Sequence, residues 1–171
     1  MGTSRFFLGG TMPAIKLICT GKLKESFFRD AFCEYQKRIG GYGNFEMLEL
    51  QEIRLPDAPS EKEISIALNR EGENIIKNIP KDAYVVALCV EGRQISSEQF
   101  AALFRERDAS GKPKLCFIIG SSYGLSNQVK ERANLKMSMS AMTFPHHLAR
   151  IMLMEQIYRS YKIIEGSRYH K

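Results

Sequence analysis

Short apolar runs alternate with segments of helical spacing along the chain, and this alternation most constrains the fold. The runs IKLICT at 15–20, FEMLELQEI at 45–53, YVVALCV at 84–90 and KLCFII at 114–119 indicate strands. The run at 84–90 is continuously apolar, which is typical of a parallel strand covered on both faces. Because strands and helices alternate, the sequence predicts an α/β fold with a mostly parallel sheet flanked by helices.

Five helices are predicted from apolar spacing and from start and stop residues. Ser60 with Glu63 forms a capping-box pattern, and Pro145 lies at or near the first position of the last helix. The predicted helices span about 22–39, 60–79, 96–107, 126–134 and 143–164, and a short strand or extended loop is expected over 137–141.

Length and composition are those of one globular domain, expected over residues 12–171 of the 171. Residues 1–11 (MGTSRFFLGGT) are expected to be a tag or a disordered leader. No apolar run approaches the roughly 20 residues of a membrane-spanning helix. Four widely spaced cysteines without a C-x-x-C pattern predict buried free thiols, a reducing cytoplasm and no metal site: Cys19, Cys33, Cys89 and Cys116.

The positive charge is concentrated near the C-terminus. Residues 130–171 carry eight Lys/Arg against three acids, so they hold +5 of the net charge of +6. This distribution favours a polyanionic partner such as RNA, and a solvated basic face without a partner is the alternative.

Loops at the carboxyl ends of predicted strands are candidates for ligand contact. The first is Glu91-Gly92. In the second, Gly120 and Gly124 let the backbone approach a ligand closely or simply turn from strand to helix. The third, residues 139–144, is uncharged and either lines an adenine pocket or forms a core strand.

The start of the last helix combines chemistry that suits an anion. His146 lies in the first turn, where the helix dipole keeps histidine neutral and free N–H groups bind anions. Helical spacing places Arg150 on the same face. The apolar stripe that follows fits either core or a dimer interface. In the tail, Tyr169 and His170 suit stacking on an RNA base, and fraying is the alternative.

Several motifs together resemble one family. They are GKLKE at 21–25, EYQKR at 34–38, SSE at 96–98, IGSSYG at 119–124, MTFPH at 142–146, Arg150, EQIYR at 155–159 and YHK at 169–171. In this order the chain resembles the SPOUT class of trefoil-knotted methyltransferases, and within it the ribosomal RNA large subunit methyltransferase H family.

The resemblance implies a trefoil knot near the C-terminus, a homodimer, and S-adenosylmethionine as the cofactor. The implied reaction is methylation of N3 of a pseudouridine in 23S rRNA of the assembled ribosome. It places cofactor contacts at Leu88, Gly120, Met139, Ser140, Ala141, Met142, Thr143 and Phe144. His146, Arg150, Tyr169 and His170 are the candidate catalytic residues.

One departure from the family pattern bears on the cofactor site. Ser121 stands where the family usually has a second glycine, so its side chain either crowds the cofactor or points away. Two alternatives therefore stay open: a non-catalytic ribosome-binding or assembly factor with this fold, and a SPOUT methyltransferase that acts on tRNA.

Overall fold

The alternation of strands and helices predicted from the sequence is confirmed. A computed structural model describes residues 12–109 and 114–169, so residues 1–11, predicted to be a leader, lie outside the described part. The elements are β1 Ala14–Thr20, α1 Ser26–Gly40, β2 Phe45–Leu50, α2 Glu61–Asn78, β3 Tyr84–Gln94, α3 Ser97–Ala109, β4 Lys114–Ile119, α4 Asn127–Arg132, β5 Leu135–Ser138 and α5 His146–Ile164.

The five strands form one sheet in the order β2-β1-β4-β3-β5, and every neighbouring pair is parallel. The central strands β1 and β4 are almost entirely buried, which explains their continuous apolar runs. Because the strands are parallel, the loops that follow them emerge at one edge of the sheet. The trefoil knot that the resemblance implies stays a prediction.

The helices cover both faces of the sheet. α1, α3 and α5 pack together on one face, where Phe32, Phe104 and Leu153 are buried. α2 and α4 lie on the other face around Ile75 and Val129. α5 therefore lies between α1 and α3, and this packing fixes its first turn close to the loops at the strand ends.

Several element boundaries differ from the predicted ones because distant residues decide them. β3 continues through Gly92 to Gln94. The backbone of Met137 passes so close to Gly92 that a Cβ there would lie 2.5 Å from the carbonyl carbon of Met137. This glycine therefore permits close approach rather than breaking the strand. α4 ends at Arg132 because Asn134 pairs with Val85 of β3, through main-chain and side-chain hydrogen bonds of 2.9 and 2.8 Å. β5 starts directly afterwards.

Two glutamates bind main-chain N–H groups at the ends of other elements, where α1 begins later and β2 ends earlier than predicted. The N–H of Leu23 donates to Glu49 Oε1 at 3.2 Å, and α1 begins only at Ser26. The N–H of Ile53 donates to Glu71 Oε1 at 2.8 Å, outside the ladder of β2. In both places a side-chain carboxylate satisfies a main-chain donor that the sequence pattern assigned to regular structure.

All four cysteines are free, as predicted. Cys19 and Cys116 are buried and Cys89 is partly buried, but Cys33 is exposed on α1, so the prediction of burial is wrong there. Within residues 12–109 and 114–169, no helix is long and apolar enough to cross a membrane.

Candidate active site

Three predicted cofactor contacts lie at adjacent positions of the sheet. The prediction of a loop at Glu91-Gly92 is wrong, because β3 continues through both residues. In the strand register, Leu88 of β3 lies opposite Ile119 of β4 on one side and Met137 of β5 on the other. Gly120 follows Ile119 directly, and Met139 lies two residues beyond Met137. The register therefore brings Leu88, Gly120 and Met139, which are far apart in sequence, to one place at the carboxyl edge.

The loop after β4 is a tight turn that only glycine can start. A Cβ at Gly120 would lie 2.1 Å from the carbonyl oxygen of Gly124, so a larger residue requires the turn to open. The N–H of Gly124 donates to the carbonyl of Ser121 at 2.9 Å, and Gly124 has a φ of +90°. Gly120 is thus required by the turn itself, whereas at Gly124 there is open space where a Cβ would lie.

The segment between β5 and α5 is a loop, not a core strand. Ser138 Oγ donates to the carbonyl of Ser140, and Ser140 Oγ accepts from the N–H of Met142, at 2.9 and 3.0 Å. Ala141 and Thr143 are exposed, and the Met142 side chain is 71% exposed. An apolar, uncharged loop that leaves a methionine in solvent fits an apolar ligand better than a core position.

A cavity of about 290 Å³ adjoins this loop. Residues 137–139 form one wall, the start of α3 forms a second, and Met152, Glu155 and Gln156 of α5 form the third. Ser97 Oγ donates to Gln156 Oε1 at 2.7 Å across the cavity wall. The cavity combines apolar walls with a few polar groups, as small-molecule sites do.

His146 lies at the first position of α5 with a half-buried ring. Burial lowers the pKa of this histidine, and His147 and Arg150 lower it further, while Glu52 and Glu25 act in the opposite direction. Its Nε2 is buried without a hydrogen-bond partner among the described residues. His146 is therefore neutral near pH 7, which agrees with the expectation from the helix dipole.

Acidification is expected to destabilise the protein through His146. Its pKa in the folded chain lies below the ordinary 6.5, so between these two values the unfolded chain binds a proton that the folded chain does not. The stability contributed above pH 6.5 is therefore lost as the pH falls towards the folded pKa. Melting temperatures from about pH 7.5 to about 5.5 should fall less steeply for His146→Gln than for wild type. An NMR titration midpoint of the His146 ring at or above 6.5 would contradict this prediction.

Arg150 lies one turn further along α5 with no solvent exposure. Its Nη1 donates to Glu49 Oε1 at 2.6 Å, and its Nη2 donates to the carbonyl of Gly21 at 3.0 Å. The side chain thus ties α5 to the ends of β1 and β2. The charge of this guanidinium is neutralised by Glu49, so Arg150 acts on the site by holding α5 against the strand ends. Its predicted contact with the substrate anion stays a prediction.

The tail folds back onto α5 of its own chain. The Tyr169 ring packs edge-on against Tyr158 with centroids 5.2 Å apart, and the guanidinium of Arg159 lies 4.9 Å from its centroid. The Tyr169 hydroxyl is 3.4 Å from Glu155 Oε1, which also accepts from Arg159 at 2.7 Å. Glu155 and Arg159 therefore form an ion pair with each other and also contact the tail through Tyr169. His170 lies outside the described residues.

Tyr169 and His146 are separated within one chain. Tyr169 rests on Glu155, nine residues after His146 on α5, which corresponds to about 14 Å along the helix. The structure therefore brings Tyr169 to Glu155, a residue that also lines the cavity, and does not bring it to the first turn of α5.

Comparison with known proteins decides the family. The family described as "Predicted SPOUT methyltransferase" matches residues 14–170. The chain belongs to the SPOUT methyltransferase family. This membership confirms the predicted enzyme class, and it confirms S-adenosylmethionine as the methyl donor. The loops after β4 and β5 have features that fit this cofactor, namely open space beside Gly124 and the exposed apolar side chain of Met142.

Three curated relatives of this SPOUT methyltransferase share the name Ribosomal RNA large subunit methyltransferase H. The relatives from Clostridium beijerinckii, Streptococcus thermophilus and Bacillus pumilus are 45%, 46% and 43% identical to this chain over 157 residues. Each alignment covers 92% of this chain and 99% of the relative.

A solved structure supports the fold. The crystal structure of a probable methyltransferase from Bordetella pertussis Tohama I matches with a TM-score of 0.53 at 16% identity. The match covers 86% of this chain and 94% of that chain.

Sequence reasoning missed the carboxylates that hold this site together. Glu49 pairs with Arg150, Glu71 holds the β4 loop, and Glu155 carries the tail. Neither Glu49 nor Glu71 had a distinct signal in the sequence. The strand run that holds Glu49 also contains Glu46 and Glu52. Glu71 lies in a helix with acids on several faces.

Proposed function

We propose that the protein is a 23S rRNA methyltransferase that transfers a methyl group from S-adenosylmethionine to N3 of a pseudouridine. Its substrate is the assembled ribosome, and it works as a homodimer in the cytoplasm. The relatives' shared name, at 43–46% identity over nearly their full length, supports the rRNA substrate. The basic stretch 130–171 supports a polyanionic partner.

The observation that carries this proposal is the strand register. It places Leu88, Gly120 and Met139 side by side at the carboxyl edge, where parallel α/β sheets bind ligands. We assign cofactor binding to Leu88 and Gly120 and to the loop residues Met139, Ser140, Ala141, Met142, Thr143 and Phe144.

The bound cofactor supplies a methyl group on a cationic sulfur, and the chain must present a deprotonated N3 to it. The imide N3–H is weakly acidic, so a proton acceptor has to take its hydrogen. His146 is one candidate, because burial keeps its imidazole neutral, and His170 of the tail is the other. Holding the pseudouridine and the methyl group together lowers the activation barrier by on the order of 7–11 kcal/mol.

The main-chain N–H groups at the start of α5 stabilise the anion that forms on the pseudouridine when N3 loses its proton. The buried pair of Arg150 and Glu49 keeps this helix start in place. Arg150 thereby contributes to anion binding by positioning the N–H groups at the helix start, because its own charge is neutralised by a carboxylate 2.6 Å away.

A second chain supplies the tail for a site that includes His146. Within one chain Tyr169 rests about 14 Å along α5 from His146. Met152 and Tyr158 of α5 are only half-buried, so they offer a surface for a partner. A homodimer in which each tail reaches the other chain's site meets both observations.

Ser121 gives no support to a non-catalytic assembly factor. Its hydroxyl donates to Glu71 Oε2 at 3.0 Å and its side chain is buried, so it occupies space on the α2 side of the loop.

Two measurements test the proposal. Titration calorimetry of the purified protein with S-adenosylmethionine should show binding, and no heat at millimolar ligand would contradict the cofactor assignment. Mass spectrometry of 23S rRNA fragments from a deletion strain should show one pseudouridine without its methyl group. The full gene should restore the methyl group and a Gly120→Val gene should not, because the added side chain meets the Gly124 carbonyl. A change confined to tRNA would favour the tRNA methyltransferase instead.

A further inference from the structure

We propose that Glu71 of α2 is a positioning residue that fixes the cofactor loop 120–124 from behind, and that Ser121 is the group through which it acts. The cofactor role of this loop rests on the proposed function. The mechanical role of Glu71 does not, so the two can fail separately.

The carboxylate of Glu71 joins two loops across the sheet edge. The Glu71 side chain is buried, with the residue 5% exposed. Its Oε1 accepts from the N–H of Ile53 at 2.8 Å, and its Oε2 accepts from Ser121 Oγ at 3.0 Å. Ile53 follows β2 and Ser121 follows β4, and β1 lies between these two strands. One rigid planar group thus fixes the spacing of both loops over the end of β1.

α2 also packs closely against the residues that follow the loop 120–124. A Cβ at Gly72 would lie 2.2 Å from Ser126 Oγ, so the helix and the loop pack backbone against side chain. Two residues before Glu71, the carbonyl of Asn69 accepts from Gln128 Nε2 at 2.8 Å. One turn of α2 therefore contacts the segment 121–128 at three residues, Ser121, Ser126 and Gln128.

A carboxylate at this position holds the loop more firmly than an apolar side chain can. Burial raises the pKa of Glu71, and the two hydrogen-bond donors act against this rise by stabilising the charged form. Hydrogen bonds to an ionised acceptor are stronger and more directional than neutral ones. Loss of the carboxylate leaves a main-chain N–H and a hydroxyl without partners, so the loop has to move to find new ones.

Ser121 supplies the hydroxyl through which Glu71 holds the loop, and a glycine at this position would offer none. Here the turn that begins at Gly120 is tied to α2 by a side-chain bond in addition to packing.

The test compares substitutions at the two residues by calorimetry with S-adenosylmethionine and by kinetics on ribosomes. Glu71→Ala should weaken cofactor binding about tenfold or more, while the KM for ribosomes stays within about twofold. Glu71→Gln should retain most of the affinity, because its amide can accept from Ile53 and donate to Ser121. Ser121→Gly should weaken cofactor binding by about threefold, and by less than this in the Glu71→Ala background, since the two residues act through one bond.

The control is Glu73→Ala, which removes an exposed acid from the same helix and should change neither constant. Amide hydrogen exchange in residues 120–125 gives a readout without cofactor, and it should accelerate in Glu71→Ala and Ser121→Gly but not in the control. If Glu71→Ala does not fold, Ser121→Gly carries the comparison with the control. Unchanged exchange and unchanged affinity in Ser121→Gly, and in Glu71→Ala where it folds, would overturn the proposal. Accelerated exchange in these variants, together with no binding of S-adenosylmethionine by the wild-type protein, would overturn the proposed function only.

Discussion

Replacement of Arg150 by alanine should lower the free energy of unfolding by about 3 kcal/mol, the lower end of the cost of breaking a buried ion pair. Arg150 has no solvent exposure, and it holds Glu49 at 2.6 Å and the Gly21 carbonyl at 3.0 Å. The variant leaves a carboxylate and a carbonyl in the interior without their donor. The lower end applies because the Glu49 side chain is 25% exposed, so water compensates it in part.

Urea unfolding of the wild type and of three variants measures this loss. Arg150→Lys should recover part of the stability, since one ammonium cannot bond to both acceptors in the geometry of a guanidinium. Arg38→Ala removes an exposed pair with Glu34 and should leave stability nearly unchanged, which makes it the matched control. An Arg150→Ala protein with wild-type stability but no methyl transfer would contradict the structural role. That outcome would favour direct contact of Arg150 with the substrate anion.

The fold was accessible to sequence reasoning because its signals are local. The continuous apolar runs of β1 and β4 indicate strands covered on both faces, and both strands are buried. The capping box of Ser60 and Glu63 is present with both of its hydrogen bonds, and it starts α2 where the pattern placed it. Such features depend on a few neighbouring residues, so one sequence contains them.

The assembly of the site depends on contacts that no local pattern contains. Glu49 and Arg150 are 101 positions apart, and Glu71 and Ser121 are 50 apart. Gly92 looks like a strand breaker until Met137 is known to pass beside it. The positions of Arg150 and Tyr169 on the last helix and tail were predictable. Their partners follow only from the tertiary structure, since Glu49 is on β2 and Glu155 meets Tyr169 because the tail turns back along α5.

Truncation of the chain after Ser167 should reduce methyl transfer by about 100-fold or more, the usual contribution of a positioned proton acceptor and its neighbours. The affinity for S-adenosylmethionine should stay unchanged, because the contacts of Tyr169 are with Glu155, Tyr158 and Arg159 of α5 and with Ser167, outside loops 120–124 and 139–144. A chain truncated after Tyr169 separates the roles of Tyr169 and His170. Tyr169→Phe keeps the ring on Tyr158 and Arg159 and removes only the hydroxyl that meets Glu155. Single-turnover rates on ribosomes measure all three variants, and wild-type rates throughout would remove the tail from the mechanism.

Mixed dimers decide whose site each tail completes. One chain is truncated after Ser167, and the other carries Gly120→Val, which closes its cofactor turn. If the tail acts on the partner, a mixed dimer has one intact cofactor loop served by one intact tail, so two inactive proteins regain about a quarter of wild-type activity after random exchange. If the tail acts on its own chain, no site has both parts and activity stays absent. The separation of Tyr169 from His146 favours the first result, because within one chain the tail rests more than two helical turns away from the first turn of α5.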